Sequence, residues 1–159
     1  MNEILKLLEK NAKITAQEIA DLTGLSLNEV KKTIENFEKN KTIVGYSSVI
    51  NWEKTDNNFV TALIEVKITP QRERGFDKIA ERIYKFDQVK ACYLMSGSFD
   101  LTVIVEGKDI KEVALFISEK LSTINGVVGT ATHFVLKKYK DKNMMFNNDE
   151  GDDREAIVL

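Results

Sequence analysis

The chain has 159 residues, 43% apolar and 30% charged, which suffices for one average domain or two small ones. One Cys (Cys92) and one His (His133) exclude an internal disulfide, a Cys-based metal site and a His-rich one, and no cofactor is expected. No apolar run nears the ~18–20 residues of a membrane span, and the opening MNEILKLLEK carries two acids where a secretory leader would be basic and then apolar. The chain therefore reads as cytoplasmic, without a membrane partner. The net charge of −2 is unevenly spread: residues 1–50 hold seven Lys and seven acids, residues 51–140 fourteen bases and twelve acids, and residues 141–159 two bases and six acids. A nucleic-acid site would have to be a local patch, or a modest patch multiplied by oligomerisation.

Ile4, Leu5, Leu7 and Leu8 fall on one face of a first helix. Thr15-x-x-Glu18 is a capping box that opens a second, in which Ile19, Ala20 and Leu22 supply the buried side and Gly24 the stop. Ser26-x-x-Glu29 is another capping box, two residues later. Val30, Ile34 and Phe37 form the core stripe of the third helix, which fades near Asn40. Helix, short Gly-containing turn and helix, with a further helix in front, is the helix-turn-helix arrangement. Thr42–Tyr46 and Val49-Ile50, around Ser47-Ser48, predict a two-stranded wing.

From spacing alone, this element serves DNA or is a helical hairpin used for packing. The third helix bears on the choice. With Val30, Ile34 and Phe37 turned inward, Leu27, Asn28, Lys31, Lys32 and Thr33 face outward near its start, where a recognition helix meets base edges. Asn pairs with adenine, Lys reaches guanine or phosphate, and a Leu or Thr methyl touches a thymine methyl. Glu35 and Glu38 should lie beyond the contact zone. The alternative for Lys31 and Lys32 is an ordinary solvated helix face.

Asn51–Asn58 is polar and reads as a linker (51–58). Phe59–Ile68 alternates, with Val60, Ala62, Ile64, Val66 and Ile68 on one face and Phe59, Thr61, Leu63, Glu65 and Lys67 on the other, so it is a strand. Phe76, Ile79, Ala80 and Ile83 mark a helix, Val89–Met95 a second strand, Ser96-Gly97-Ser98 a turn, and Phe99–Glu106 a third strand. Asp109 with Glu112 predicts a third capping box, opening a helix whose stripe is Ile110, Val113, Ala114, Ile117 and Leu121. Val127–Lys137 is the fourth strand, with Val128, Thr130, Thr132, Phe134 and Leu136 on one side. The fold class is therefore α+β: an N-terminal winged helix-turn-helix (1–50) and a ferredoxin-like βαββαβ domain (59–140), followed by an acidic tail (141–159).

Two helices cover one face of a four-stranded sheet. The other keeps Leu63, Ile104 and Phe59, and an open apolar face predicts a homodimer formed through this domain. Ser96-Gly97-Ser98-Phe99-Asp100 is the most site-like turn: Gly97 permits close backbone approach, Ser hydroxyls and free N–H groups can hold a carboxylate, and Asp100 can accept from an amino group. A plain hairpin explains the same residues.

Taken together, ITAQEIADLTGLSLNEVKKTIENFEKNKTIVGYSSVIN, the SGSFD turn, the INGV segment and THFVLKKYK resemble the Lrp/AsnC (feast/famine) family of transcription regulators, over about residues 2–140. The resemblance implies a DNA-binding winged helix-turn-helix joined to a RAM domain for ligand binding and assembly. Members of the family dimerise through the RAM sheet, often form octamers and bind amino acids between dimers, and this chain is accordingly expected not to be an enzyme. It places DNA contact on the helix beginning at Ser26, and an amino-acid effector around Ser96, Gly97, Ser98, Phe99 and Asp100 with Thr130 and Thr132 as neighbours.

The chain departs from the family pattern in three places. The recognition helix has no Arg, reading Lys31, Lys32, Thr33, Glu35 and Asn36, so strongly salt-dependent DNA binding is expected. The turn lacks an acid and a phenol of the usual Gly-Asp-Tyr-Asp. The acidic tail either stays free or packs on a partner subunit. Some proteins similar to the family are sirohaem decarboxylases; that alternative would rest on His133, Arg72, Arg74 and Arg82. A metabolite-binding assembly without DNA recognition is the third reading.

Overall fold

The computed structural model describes residues 2–69 and 75–146. It divides into two compact units, Met1–Ile50 with Lys140–Leu159, and Asn51–Tyr139. Residues 51–58, expected as a linker, group with the second unit, and Trp52–Lys54 form a single 3-10 turn.

In the first unit, α1 (Asn2–Lys10), α2 (Ala16–Thr23) and α3 (Leu27–Lys39) enclose a core of Ile4, Leu8, Ile19, Ala20 and Val30. Ile34, Phe37 and Ile43 pack against its edge. Both expected capping boxes form: Thr15 and Ser26 each accept from the backbone N–H three residues on, and Glu18 and Glu29 reach back to the cap. Gly24 stops α2 in the left-handed region (φ 71°), and its N–H donates to the Ala20 carbonyl at 2.9 Å. Leu22, expected inside, is instead 64% exposed. The inward stripe of α2 is Ala16, Ile19, Ala20 and Thr23, spaced i, i+3, i+4, i+7, and Leu22 lies off it.

The two-stranded wing expected over Thr42–Ile50 is not built as paired strands. The Ile43 N–H donates back to the Phe37 carbonyl, so the chain turns where a strand would begin, and residues 44–50 have no ladder partner. Side chains secure this segment instead. Tyr46 Oη donates to Glu38 Oε1 at 2.9 Å, and Lys142 Nζ to Ser47 Oγ at 3.0 Å. Lys142 comes from a small hairpin of β5 (Lys140–Asp141) and β6 (Met144–Met145), whose two turn residues, Lys142 and Asn143, both have positive φ.

The second unit is a four-stranded antiparallel sheet in the order β2-β3-β1-β4, made of β1 (Val60–Ile68), β2 (Val89–Leu94), β3 (Leu101–Gly107) and β4 (Val127–Phe134). Two helical segments, α4 (Gly75–Tyr84) and α5 (Ile110–Phe116, continued by a π turn over Ile117–Leu121), complete the βαββαβ plan. The core is one layer: Ala62, Ile64, Val66 and Ile68 of β1 and Leu101, Val103 and Val105 of β3 against Ile79, Ile83, Val113, Phe116, Ile117 and Leu121.

Four details differ from expectation. On α5, Ile110 is 59% exposed and Ala114 is exposed, while Phe116 is buried. The buried set Val113, Phe116, Ile117 and Leu121 is spaced i, i+3, i+4, i+8, a helical stripe rotated from the expected one, and its last residues lie in a π turn. Asp109 caps α5 by accepting from the Glu112 N–H, but the Glu112 carboxylate takes the Lys108 N–H, so the reciprocal box is not closed. On β4, the register slips opposite Lys67/Ile68, which turns Val128 out to 65% exposure while Val127, Thr130, Thr132 and Phe134 face inward. β4 ends at Phe134, not Lys137, because β1 offers no partner beyond the Thr61 carbonyl, which takes the Val135 N–H. Leu136 is 95% exposed.

Candidate functional site

Val30 is fully buried and Ile34 and Phe37 pack beside it, so one face of α3 is pinned to the core and the opposite face is free. Asn28, Lys31 and Lys32, spaced i, i+3, i+4, are exposed together on that outer face within the first two turns. Leu27 is half-buried. The Ser26 and Thr33 hydroxyls, expected at the DNA, are already engaged: Ser26 Oγ donates to Glu29 Oε2, and Thr33 Oγ1 donates to the Glu29 carbonyl at 2.8 Å. Of the six expected contact residues, three present free polar groups and two spend theirs on the helix itself. For Ser26 the capping box already implied this; for Thr33 sequence could not reveal it, because a hydroxyl that bonds back to the carbonyl four residues earlier and one that faces the groove occupy the same helix position.

The cap also sets a local charge. Glu29 lies at the start of α3, and hydrogen bonds first from the Ser26 hydroxyl and then from its backbone N–H hold its carboxyl below the ordinary value of 4.5. Glu18 is lowered in the same way, first by the Thr15 backbone and then by its side chain. A carboxyl pulled down by folding stabilises the folded state above its unfolded pKa, and the contribution is lost as pH falls through the lowered folded value. We expect Ser26→Ala to return the Glu29 titration midpoint toward 4.5, read from side-chain carboxyl shifts across pH 2–7, with the Glu18 midpoint unchanged. At the far end of α3, partial loss of solvent and then the Glu38 carboxylate raise the Tyr46 phenol above its usual 10.

In the second unit, Ser96, Gly97 and Ser98 form the exposed bend between β2 and β3, and Phe99 and Asp100 are half-buried. Gly97 has φ +150° with open space where a Cβ would stand, so backbone approach by a small molecule is unobstructed. Asp100 is an anchor. Its N–H donates to the Val66 carbonyl (3.0 Å), its carbonyl accepts from Met95 N–H (2.8 Å), and its Oδ2 accepts from Ile68 N–H (2.7 Å). The carboxylate expected to meet an amino group therefore has one oxygen committed to the end of β1. Thr130 and Thr132 pair with Val66 and Ile64, on the far flank of β1 from the bend, with side chains toward the helix-covered face. Bend and threonines thus share the end of the sheet but are separated by one strand, two spacings or roughly 10 Å.

We expect Asp100→Ala to destabilise this unit by about 1–3 kcal/mol, because it strands a charge-assisted hydrogen-bond donor at nearly buried Ile68. Asp100→Asn should recover most of that loss in denaturant melts.

At the other end of β3, a cleft of about 480 Å³ opens beside the edge-to-face pair of Trp52 and Phe59 (centroids 5.3 Å apart), with Lys90, Glu106 and Lys108 on its rim. Sequence reading missed it because Trp52 sits in a stretch that looks like linker. On the uncovered face of the sheet, Leu63 and Ile104 stand opposite each other, flanked by Ala131 and by His133, whose Nε2 lies 3.3 Å from Glu65 Oε1. Arg82 belongs to α4, on the covered side, so His133 and Arg82 do not converge on one pocket. Arg72 and Arg74 lie outside the described residues.

A helix-turn-helix with a free, partly cationic outer face, joined in one chain to a ferredoxin-like sheet with helices on one side, is the build of a ligand-responsive DNA-binding regulator. The winged helix-turn-helix DNA-binding family matches residues 2–44, and the Lrp/AsnC ligand binding domain family matches residues 61–145. The chain belongs to the Lrp/AsnC family of HTH-type transcriptional regulators. It is 48% identical over 158 residues to an uncharacterized HTH-type transcriptional regulator, YugG, of Bacillus subtilis (strain 168), covering 99% of this chain and 94% of that one. It is 31% identical over 137 residues to the HTH-type transcriptional regulator LrpA of Pyrococcus abyssi (86% and 94% covered). The solved complex of the transcriptional regulator NMB0573 from Neisseria meningitidis with L-Met shares the fold, with TM-score 0.71, 23% identity, and 87% and 89% covered.

Proposed function

We propose that this regulator binds double-stranded DNA through the outer face of α3, as a homodimer closed across the Leu63–Ile104 face of the sheet. An amino acid held near the 96–100 bend modulates it. The observation that carries the reading is the joint exposure of Asn28, Lys31 and Lys32 opposite a helix face locked by Val30, Ile34 and Phe37. Asn28 supplies base readout, and the lysines supply phosphate or guanine contacts. Ser26, Leu27 and Thr33 contribute through backbone and methyl groups, since their polar groups are absent or engaged. A dimer offers two such helices, so its site is roughly palindromic, with half-sites ~10 bp or a multiple apart.

The effector reading draws support from the open backbone at Gly97 and from the amino-acid complex of the Neisseria relative in fold. Ser96 and Ser98 offer hydroxyls to a carboxylate. Phe99 and the second oxygen of Asp100 border the site, and Thr130 and Thr132 stiffen β4 across Val66. Assembly of dimers into larger rings would place this bend at a subunit contact, coupling effector to DNA by ~1–3 kcal/mol in both directions. The test has two arms. A gel-shift titration must distinguish the protein's own upstream region from random DNA, and calorimetry with the twenty amino acids must give heat for at least one. Equal affinity for the two DNAs removes the regulator mechanism; silence from all twenty removes the amino-acid effector.

A further inference from the structure

We infer that the acidic segment 147–159 docks on the exposed lysines of its own helix-turn-helix unit and competes there with DNA phosphates. The docking stands on observations of this chain alone; the competition rests on the α3 reading above.

Three features point to it. First, the chain returns to the helix-turn-helix unit after the sheet domain. Residues 140–146 group with the helix-turn-helix unit, and the β5–β6 hairpin is tied there by Lys142 Nζ on Ser47 Oγ. The hairpin ends at Met145, so the segment starts beside this unit. Second, the unit carries cations without counter-ions. All seven lysines of residues 1–50 (Lys6, Lys10, Lys13, Lys31, Lys32, Lys39 and Lys41) are exposed, and none forms an ion pair among the described residues. Four of the seven acids of residues 1–50 are engaged elsewhere: Glu29 in the α3 cap, Glu18 in the α2 cap, Glu38 by the Tyr46 hydroxyl and Asp21 by the Gln17 amide. Third, charge and reach complement this surface. Residues 147–159 hold Asp149, Glu150, Asp152, Asp153 and Glu155 against one Arg154. Thirteen residues span at most about 45 Å, whereas a fifty-residue unit is only about 25 Å across, so every lysine is within reach.

Single exposed ion pairs are weak, but tethering supplies carboxylates at roughly millimolar effective concentration, and five act together. The segment therefore behaves as a built-in polyanion that raises the threshold for non-specific DNA while leaving a base-reading site able to displace it. Such competition fades as salt rises, as phosphate binding itself does.

The test uses the full chain and a full-length variant, D149N/E150Q/D152N/D153N/E155Q, whose changes lie outside both cores. Zero-length carbodiimide coupling without DNA, on a mixed 14N/15N sample, should join acids of 149–155 to Lys31 or Lys32 within single chains. Absence of such links, or links only between differently labelled chains, overturns docking on the own unit. On random duplex DNA at 50 mM salt, the variant should bind about tenfold tighter, with the gap closing by 0.3 M. Equal, measurable affinities overturn the competition. Links without DNA binding by either chain leave the docking standing and remove the DNA reading instead.

Discussion

Replacing Lys31 and Lys32 together by Ala removes four lysines from a dimer with both helices on the duplex, so it flattens the plot of log DNA affinity against log salt by up to about four units (about two per helix) and weakens binding by about 100-fold or more near 0.1 M salt. The physical reason is counterion release: each lysine that sits on a phosphate frees about one condensed cation, and the outer face of α3 carries just these two lysines in its first two turns. Both are exposed, so the fold should tolerate their loss within about 0.5 kcal/mol, and a failure to bind cannot be blamed on unfolding. Asn28→Ala separates readout from charge. It should reduce discrimination between specific and random sites by about 1–3 kcal/mol while leaving the salt slope unchanged. An unchanged slope in the double lysine variant would move the interface away from α3.

Ile64→Ala should cost the second unit about 2–5 kcal/mol, a large part of the roughly 5–15 kcal/mol that holds a domain folded. Ile64 is fully buried at the centre of the sheet, opposite Val103 on one side and Thr132 on the other, under the helices. The residue cannot be replaced by relaxation, because strands flank it on both sides and a cavity must remain. Trp52, the chain's one tryptophan, belongs to this unit and reports its unfolding by fluorescence. The denaturant midpoint should fall without a change in slope. Because the helix-turn-helix unit has its own core around Ile4, Ile19 and Val30, its helical signal should be spared at denaturant concentrations where the Trp52 signal is lost.

Local chemistry made most of the fold readable. The Thr15 and Ser26 boxes, the Gly24 stop and the alternation of β1 each arise from contacts within a few residues, and all appear where spacing placed them. The misreadings share a non-local cause. The wing needed a strand partner that residues 44–50 lack. The β4 faces were crossed by a bulge set by pairing with β1. On α5, packing against the sheet selects the stripe Val113, Phe116, Ile117 and Leu121 over the neighbouring one through Ile110 and Ala114. At the candidate sites, residue types were legible but availability was not. Sequence offered Thr33 and Asp100 as free ligands, whereas the folded backbone claims both, and the Ser26 hydroxyl is held by the capping box that sequence did show. The open apolar face was legible for a simpler reason, since two helices cannot cover both sides of a sheet that carries Leu63 and Ile104 on its second face.

The most direct test of the central claim, that paired α3 helices read duplex DNA, is selection of bound fragments from genomic DNA by the wild-type chain and by Lys31→Ala/Lys32→Ala, with footprints taken on the winners. The account predicts enriched, roughly palindromic sites protected in two patches about one helical turn or a multiple apart, with the enrichment lost in the variant. Recovery of the same fragments by both proteins, or of no fragment above background by either, would contradict it.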